Sequence, residues 1–173
     1  HVGRIDPQKN HKFLIDVFRI IHERIPDSKL WLVGRGKLKE EIRAQVHRLG
    51  LDRAVDFIGL TGKVHEYLAG MDVFAFPSFF EGFGNALVEA QCSGLPCIAS
   101  DRVPDESIIT DRVSRLAIAP ATKCTTQWAD ALIDAANHKG GRENYAQIVR
   151  EAGFDVEPVA RKLEEFYFSI AGN

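Results

Sequence analysis

Short apolar runs alternate with helix-length amphipathic segments along most of this chain, and that alternation restricts the fold more than any other feature. KLWLVG (29–34) is an apolar run bounded by turn residues, and 55–58, 72–76, 96–100 and 115–119 read the same way. HVGRID at the start has the pattern of a strand end, which brings the expected count to about six strands. Between the runs, Phe13, Leu14, Val17, Phe18, Ile21 and Ile25 recur at helical spacing, and Leu38, Ile42, Val46 and Leu49 do so before Gly50. Residues 64–69 predict a short helix, a long one follows Gly84, 103–109 reads as a loop or short helix, and two more helices fall near 124–138 and 143–151.

Strand and helix in alternation predict an α/β fold: a doubly wound, mostly parallel Rossmann-like sheet with helices on both faces. The run 72–76 has no polar alternation, as expected of a strand buried on both sides. The predicted body spans 1–154. Beyond Gly153, residues 155–173 form a separate segment, where Val156, Val159, Leu163, Phe166, Tyr167 and Ile170 mark an amphipathic helix with Pro158 in its first turn. A lone helix of this length is marginal in water, so it must dock on this sheet or on a part of the protein outside the chain.

Ligands of such sheets bind at the carboxyl ends of strands, where helix N-termini offer N–H groups to anions. One strand-to-helix handover, FPSFFEGFGNALVEAQCSGLP, carries two glutamates, Glu81 and Glu89, with glycines and an asparagine between them. Gly82 and Gly84 remove side chains where a phosphate would approach backbone, and Asn85 can cap the helix or bond a ligand. Eight residues of helix rise about 12 Å, comparable with a diphosphate and the sugars on either side of it. Taken singly, each glutamate reads more simply as a solvated surface acid. Arg4 and Lys9, in the turn GRIDPQKN, could both reach one diphosphate and offset its charge as a bond breaks; alone they read as two solvated cations. GRGK (34–37) is a weak dinucleotide signal, because the third glycine of that fingerprint is missing.

With 173 residues, 45% hydrophobic and 27% charged, the chain can bury a substantial core, and its formal net charge of −2 argues against nucleic acid as the main partner. Cys92, Cys97 and Cys124 lack a CxxC spacing, which predicts neither a disulfide framework nor a zinc site and favours a reducing, cytoplasmic location. His11, His22, His47, His65 and His138 are scattered without metal-ligand spacing and are expected at surface or helix positions, so no metal is predicted. No GxSxG elbow surrounds Ser78, and no apolar run approaches the roughly 20 residues of a membrane span.

Taken in order, VGRIDPQKN, LVGRG, VDFIG, MDVFAFPSFFEGFGNALVEAQCSGLPCIAS and VPDESI resemble the C-terminal, donor-binding domain of retaining GT-B glycosyltransferases of the "glycosyl transferases group 1" type, which are family 4-like. The resemblance covers nearly the whole chain. It implies one half of a GT-B fold that holds a nucleoside-diphosphate sugar, a UDP-sugar favoured, and passes the sugar with retention to a glycan or lipid-linked acceptor. By the same carry-over Arg4 and Lys9 contact the diphosphate, and Glu81, with them in the catalytic set, holds donor-sugar hydroxyls. Gly82, Phe83, Gly84 and Asn85 touch sugar and phosphate through backbone, and Glu89 takes the ribose hydroxyls. Gly3 and Gly34 lie close to the donor, and residues from Phe57 through Gly59 to Leu60 line the base pocket. No cofactor or metal is implied, and the variant is most like exopolysaccharide or capsule enzymes. The acceptor-binding N-terminal domain is the expected partner, with inactivity of this half alone. Residues 155–170 would cross to that domain, and peripheral attachment at the inner membrane would come through it.

The sequence departs from the family pattern after the fifth strand, where Arg102 and Val103 stand in place of a glycine pair and DRVSRLAI replaces a glycine-bearing turn. Alternatives with the same architecture are a nucleotide-sugar epimerase and a sugar phosphorylase. An NAD-binding oxidoreductase module through GRGK and a non-catalytic interaction domain are weaker readings.

Overall fold

The computed structural model describes residues 1–119, 121–138 and 140–171. Its strands are β1 (Leu30–Val33), β2 (Val55–Gly59), β3 (Phe74–Phe76), β4 (Cys97–Ser100) and β5 (Val113–Leu116), and every pairing between them is parallel. Ladder bonding divides them into two sheets, β1-β2 and β3-β4-β5.

The opening residues stand between the two. Val2 bridges Val33 in the parallel sense, the His1 backbone nitrogen donates to the Trp31 carbonyl, and the Gly3 N–H donates to Val33. From the same segment the His1 ring donates through Nδ1 to the Ala75 carbonyl of β3 at 2.8 Å. The spatial order is therefore β2, β1, residues 1–3, β3, β4, β5, the doubly wound arrangement. Five strands and this bridge account for the six expected. A side chain, in place of a backbone ladder, links the two halves.

Strand residues alternate between two cores, as the two-residue period of a pleated strand requires. Leu30, Leu32, Ala75 and Ile98 face one side and pack with α1 (His11–Arg24), α2 (Lys39–Arg48) and α5 (Ala121–Asn137) through Phe13, Leu14, Val17, Ile42, Val46 and Trp128. Val33, Phe74, Phe76, Cys97 and Ala99 face the other and meet Leu68 of α3 (Val64–Gly70) and Leu87 and Ala90 of α4 (Asn85–Cys92). The helix ends follow local chemistry. Glu40 and Glu41 occupy the first turn of α2 and His47 and Arg48 its last, each complementing the helix dipole, and Gly50 at φ +70° closes it. α4 is shorter than expected, because Gly94 at φ +67° turns the chain two residues after its end.

α6 (Tyr145–Val149) runs into a wider helical turn over Arg150–Phe154, kinked at Gly153, and α7 (Val156–Ala171) follows. Residues 172 and 173 of the expected terminal segment lie outside the described residues. α7 does not bury itself on the sheet: residues 156–170 are all exposed, Val156, Leu163, Phe166 and Phe168 by 53 to 79%.

Candidate functional site

The strand order reverses between residues 1–3 and β3, and ligand crevices of doubly wound sheets open at such reversals, beyond the carboxyl ends of the strands. Two loops leave that point, residues 4–10 and 77–84. They are stitched together. The Phe79 N–H donates to the Gln8 carbonyl at 2.8 Å, and Gln8 Nε2 donates to the Phe80 carbonyl at 2.9 Å and to Glu81 Oε2 at 3.4 Å. Lys9 Nζ donates to the other carboxylate oxygen of Glu81 at 2.7 Å and lies 4.7 Å from the centre of the Phe76 ring. The Lys9 and Glu81 side chains are only 11% and 6% exposed. Two charges withdrawn this far from water persist because each neutralises the other and Gln8 occupies the remaining oxygen.

The local backbone explains how Lys9 arrives there. Pro7 opens a single turn of 3-10 helix, Pro7–Lys9, whose N-cap Asp6 accepts from the Lys9 N–H, and Asn10 in the left-handed region at φ +54° redirects the chain into α1. Gly3 leaves room for the lysine stem, since a Cβ there would lie 3.1 Å from Lys9 Cε and from His1 Nε2. Arg4 behaves differently from Lys9. Its side chain is 76% exposed at the rim, 3.5 Å from Asp6 Oδ2, so the two cations do not lie side by side.

Gly34 and Gly36 have a structural task that GRGK alone does not reveal. A Cβ on Gly34, where φ is +139°, would sit 2.1 Å from the Gly3 carbonyl oxygen, and one on Gly36 2.2 Å from that of Ile5. They admit the close passage of two backbones, which removes the physical basis for reading them as a dinucleotide fingerprint.

At the start of α4, Gly84 takes the N-cap position at φ +92°, against Phe76 and Ser107, and no side chain caps the helix. Asn85 is the first helical residue and is exposed, so of the two roles expected for it, capping the helix or bonding a ligand, the cap is not the one it takes. Gly82 is exposed with open space where a side chain would be, and Phe83 stacks on Phe154 at 5.5 Å between centroids. Glu89 lies on the exposed side of the helix, and burial raises its carboxyl above the ordinary glutamate value of 4.5. Behind the helix, buried Gln91 donates to the Leu87 and Ser107 carbonyls and accepts from the Ile109 and Thr110 N–H groups, fixing the loop after β4 against α4. In that loop Arg102 pairs with Asp101, and Asp105 pairs with Arg115 of β5.

Two cavities flank Arg4. One, of about 650 Å³, is lined by Gly3, Arg4, Gly34, Gly59, Leu60 and Thr61 among others. Phe57 is not among its lining residues, contrary to expectation. That ring packs against the main core with the Arg43 guanidinium 5.3 Å above it, and the chain reaches the cavity only from Gly59 onward. The second, of about 530 Å³, lies between the Pro7 turn and the Phe79–Phe80 loop. Glu81 and Glu89 line neither cavity.

Gln8 and His11 escaped the sequence reading as site residues. His11 is on a helix, as expected, but is 2% exposed, edge-on to the His1 ring at 4.8 Å. Burial above all, with the nearby Lys9 charge, lowers it to about 4, so a neutral imidazole lies near Lys9 at neutral pH. The sequence hint was KNH, a histidine two residues after the lysine at the start of an otherwise apolar helix face. Among the described residues no group of three or more His, Cys, Asp or Glu side chains could hold a metal ion, and no helix is long and apolar enough to cross a membrane.

The fold is a doubly wound parallel sheet with a lysine–glutamate pair and a glycine-flanked helix start at its strand-order reversal, and it resembles the domains of GT-B glycosyltransferases. The chain belongs to the family described as Glycosyl transferases group 1, whose model matches residues 1–138. EpsF of Bacillus subtilis, a glycosyltransferase by name, is 34% identical over 169 residues, 96% of this chain and 43% of its own length. The UDP-Gal:alpha-D-GlcNAc-diphosphoundecaprenol alpha-1,3-galactosyltransferase of Escherichia coli is 36% identical over 103 residues, 58% of this chain and 27% of its own. Among solved structures, the pneumococcal O-GlcNAc transferase GtfA, in complex with UDP and GlcNAc, superposes over 99% of this chain and 35% of its own with a TM-score of 0.82 at 19% identity, a likeness of fold. The chain thus spans less than half the length of these relatives.

Proposed function

We propose that this chain is the donor-binding half of a retaining glycosyltransferase, acting as part of a longer protein. It would move a sugar from a nucleoside diphosphate, uridine favoured, to a glycan or lipid-linked acceptor. One observation carries the reading: two motifs 72 residues apart deliver Lys9 and Glu81 to a buried 2.7 Å contact at the strand-order reversal. Lys9 faces the diphosphate from below and Arg4 from the rim, and their charge offsets what develops on the departing diphosphate. Glu81 then exchanges part of its contact with Lys9 for donor-sugar hydroxyls. Backbone at Gly82, Phe83, Gly84 and Asn85 meets sugar and phosphate, and Glu89 accepts from the ribose hydroxyls. The larger cavity, with Gly3, Gly34, Gly59 and Leu60, takes the base. These cations and the helix start would supply the charge stabilisation a metal otherwise gives, so the reaction is read as metal-independent.

Residues 1–154 form the donor domain and 155–173 a segment that docks its apolar face on the acceptor-binding half, outside this chain; the exposure of Val156, Leu163, Phe166 and Tyr167 supports this. The acceptor class follows the Escherichia coli relative, whose name specifies a diphosphoundecaprenol substrate. A cytoplasmic place, peripheral to the inner membrane through the other half, suits such an acceptor.

Titration with UDP, GDP and ADP tests the donor assignment. One nucleotide binds, and Glu89→Ala weakens it; binding of none of the three refutes the proposal. Product analysis on the full-length enzyme separates transfer from epimerase or phosphorylase chemistry.

A further inference from the structure

The smaller cavity has no part in the donor reading except through Arg4. Its walls are Arg4, Asp6, Pro7 and Gln8 on one side and Phe79 and Phe80 on the other, with Gly36 and Lys37 closing it. Phe79 and Phe80 are 49% and 62% exposed. Two adjacent phenylalanine rings exposed beside a carboxylate, an amide and two cations form an apolar patch rimmed by polar groups, the kind of surface that marks a binding site. The combination matches one ligand chemistry. A pyranose ring presents a face of C–H groups that lies flat on an aromatic ring, and a rim of hydroxyls that both donate and accept. Asp6 and the Gln8 amide oxygen supply acceptors for that rim, and Arg4 and Lys37 supply donors.

Position adds to chemistry. Gln8 lines the cavity and also donates to Glu81, so a single amide side chain separates a sugar held here from the carboxylate assigned to the donor sugar.

We propose that this cavity is an acceptor subsite, in which a pyranoside of the acceptor stacks on Phe80, with Phe79 beside it, and is oriented by Asp6 and Gln8. The assignment to the acceptor rests on the donor reading above. Acceptor recognition is then shared between the two halves of the enzyme.

The test uses methyl glycosides of glucose, galactose and N-acetylglucosamine as probes, followed by saturation-transfer NMR in the intact protein, alongside a UDP titration. At least one glycoside is expected to bind, with affinity falling about fivefold or more in both Phe80→Ala and Phe80→Leu while UDP affinity stays unchanged. Phe80→Leu keeps apolar bulk but loses the ring face, so full retention of binding in that variant overturns stacking. Binding undiminished in both variants, or no glycoside binding in a protein that binds UDP, overturns the subsite. Ring-dependent glycoside binding without UDP binding keeps the sugar site and removes the donor reading, and failure of both ligands removes both.

Discussion

Replacing Lys9 with methionine isolates the energetics of the site from its chemistry. The substitution keeps most of the stem that crosses Gly3 and deletes the ammonium, leaving a Glu81 side chain 6% exposed with only the Gln8 amide, at 3.4 Å, as partner. Removing one member of a buried ion pair costs about 3 to 5 kcal/mol. The expected loss for Lys9→Met at pH 7 is therefore about 3 to 5 kcal/mol. For a chain of this size that lowers the melting temperature by roughly 10 °C. Urea unfolding measures it. The double variant Lys9→Met/Glu81→Leu should recover most of the stability while binding no nucleotide, because it leaves no buried charge unpaired. A loss below about 1 kcal/mol for Lys9→Met, or no recovery in the double variant, would refute the description of the pair as desolvated.

Gly34→Ala places a methyl carbon 2.1 Å from the Gly3 carbonyl oxygen at φ +139°, so a loss of about 3 kcal/mol or more is expected in thermal unfolding; a loss within 1 kcal/mol would mean the two turns part easily. Gln91→Leu strands two backbone N–H groups behind α4 and should cost about 2 to 4 kcal/mol, with the loop after β4 gaining hydrogen exchange ahead of the core. On the proposed role of Glu89 at the ribose hydroxyls, its carboxylate accepts more strongly than the neutral acid, and since burial raises its carboxyl, nucleotide affinity should begin to fall above pH 4.5 as the medium is acidified; Glu89→Gln should abolish that dependence, and an identical profile in the variant would assign it elsewhere.

The elements easiest to read in the sequence are those buried on two sides. β3 and β4 are apolar at nearly every position, and α1 repeats its buried residues at helical spacing, so pattern and structure coincide. β5 was harder because its middle residues, Ser114 and Arg115, are exposed; the strand begins at Val113, two residues ahead of the apolar run. In the site, the glutamates and the lysine carry a motif. Gln8 does not, since its importance depends on two contacts more than 70 residues away. Where the chain first meets the larger cavity was not legible either: the expected lining began at Phe57, but its ring packs on the core under Arg43 and lining begins at Gly59, a distinction that no sequence spacing encodes.

The stitch between Gln8 and the loop at Phe79 and Phe80 also bears on how the protein assembles. Gln8 and Phe80 are separated by 72 residues, a span that includes β1, β2 and β3, so no local folding event can bring them together. Contacts of such long range form only after the intervening loop-closure entropy has been overcome. The proposed nucleotide site is therefore expected to form late in folding. A partly folded chain with its helices formed and its sheet incomplete has no site at all, and nucleotide protection during refolding should rise with the final phase and not before it.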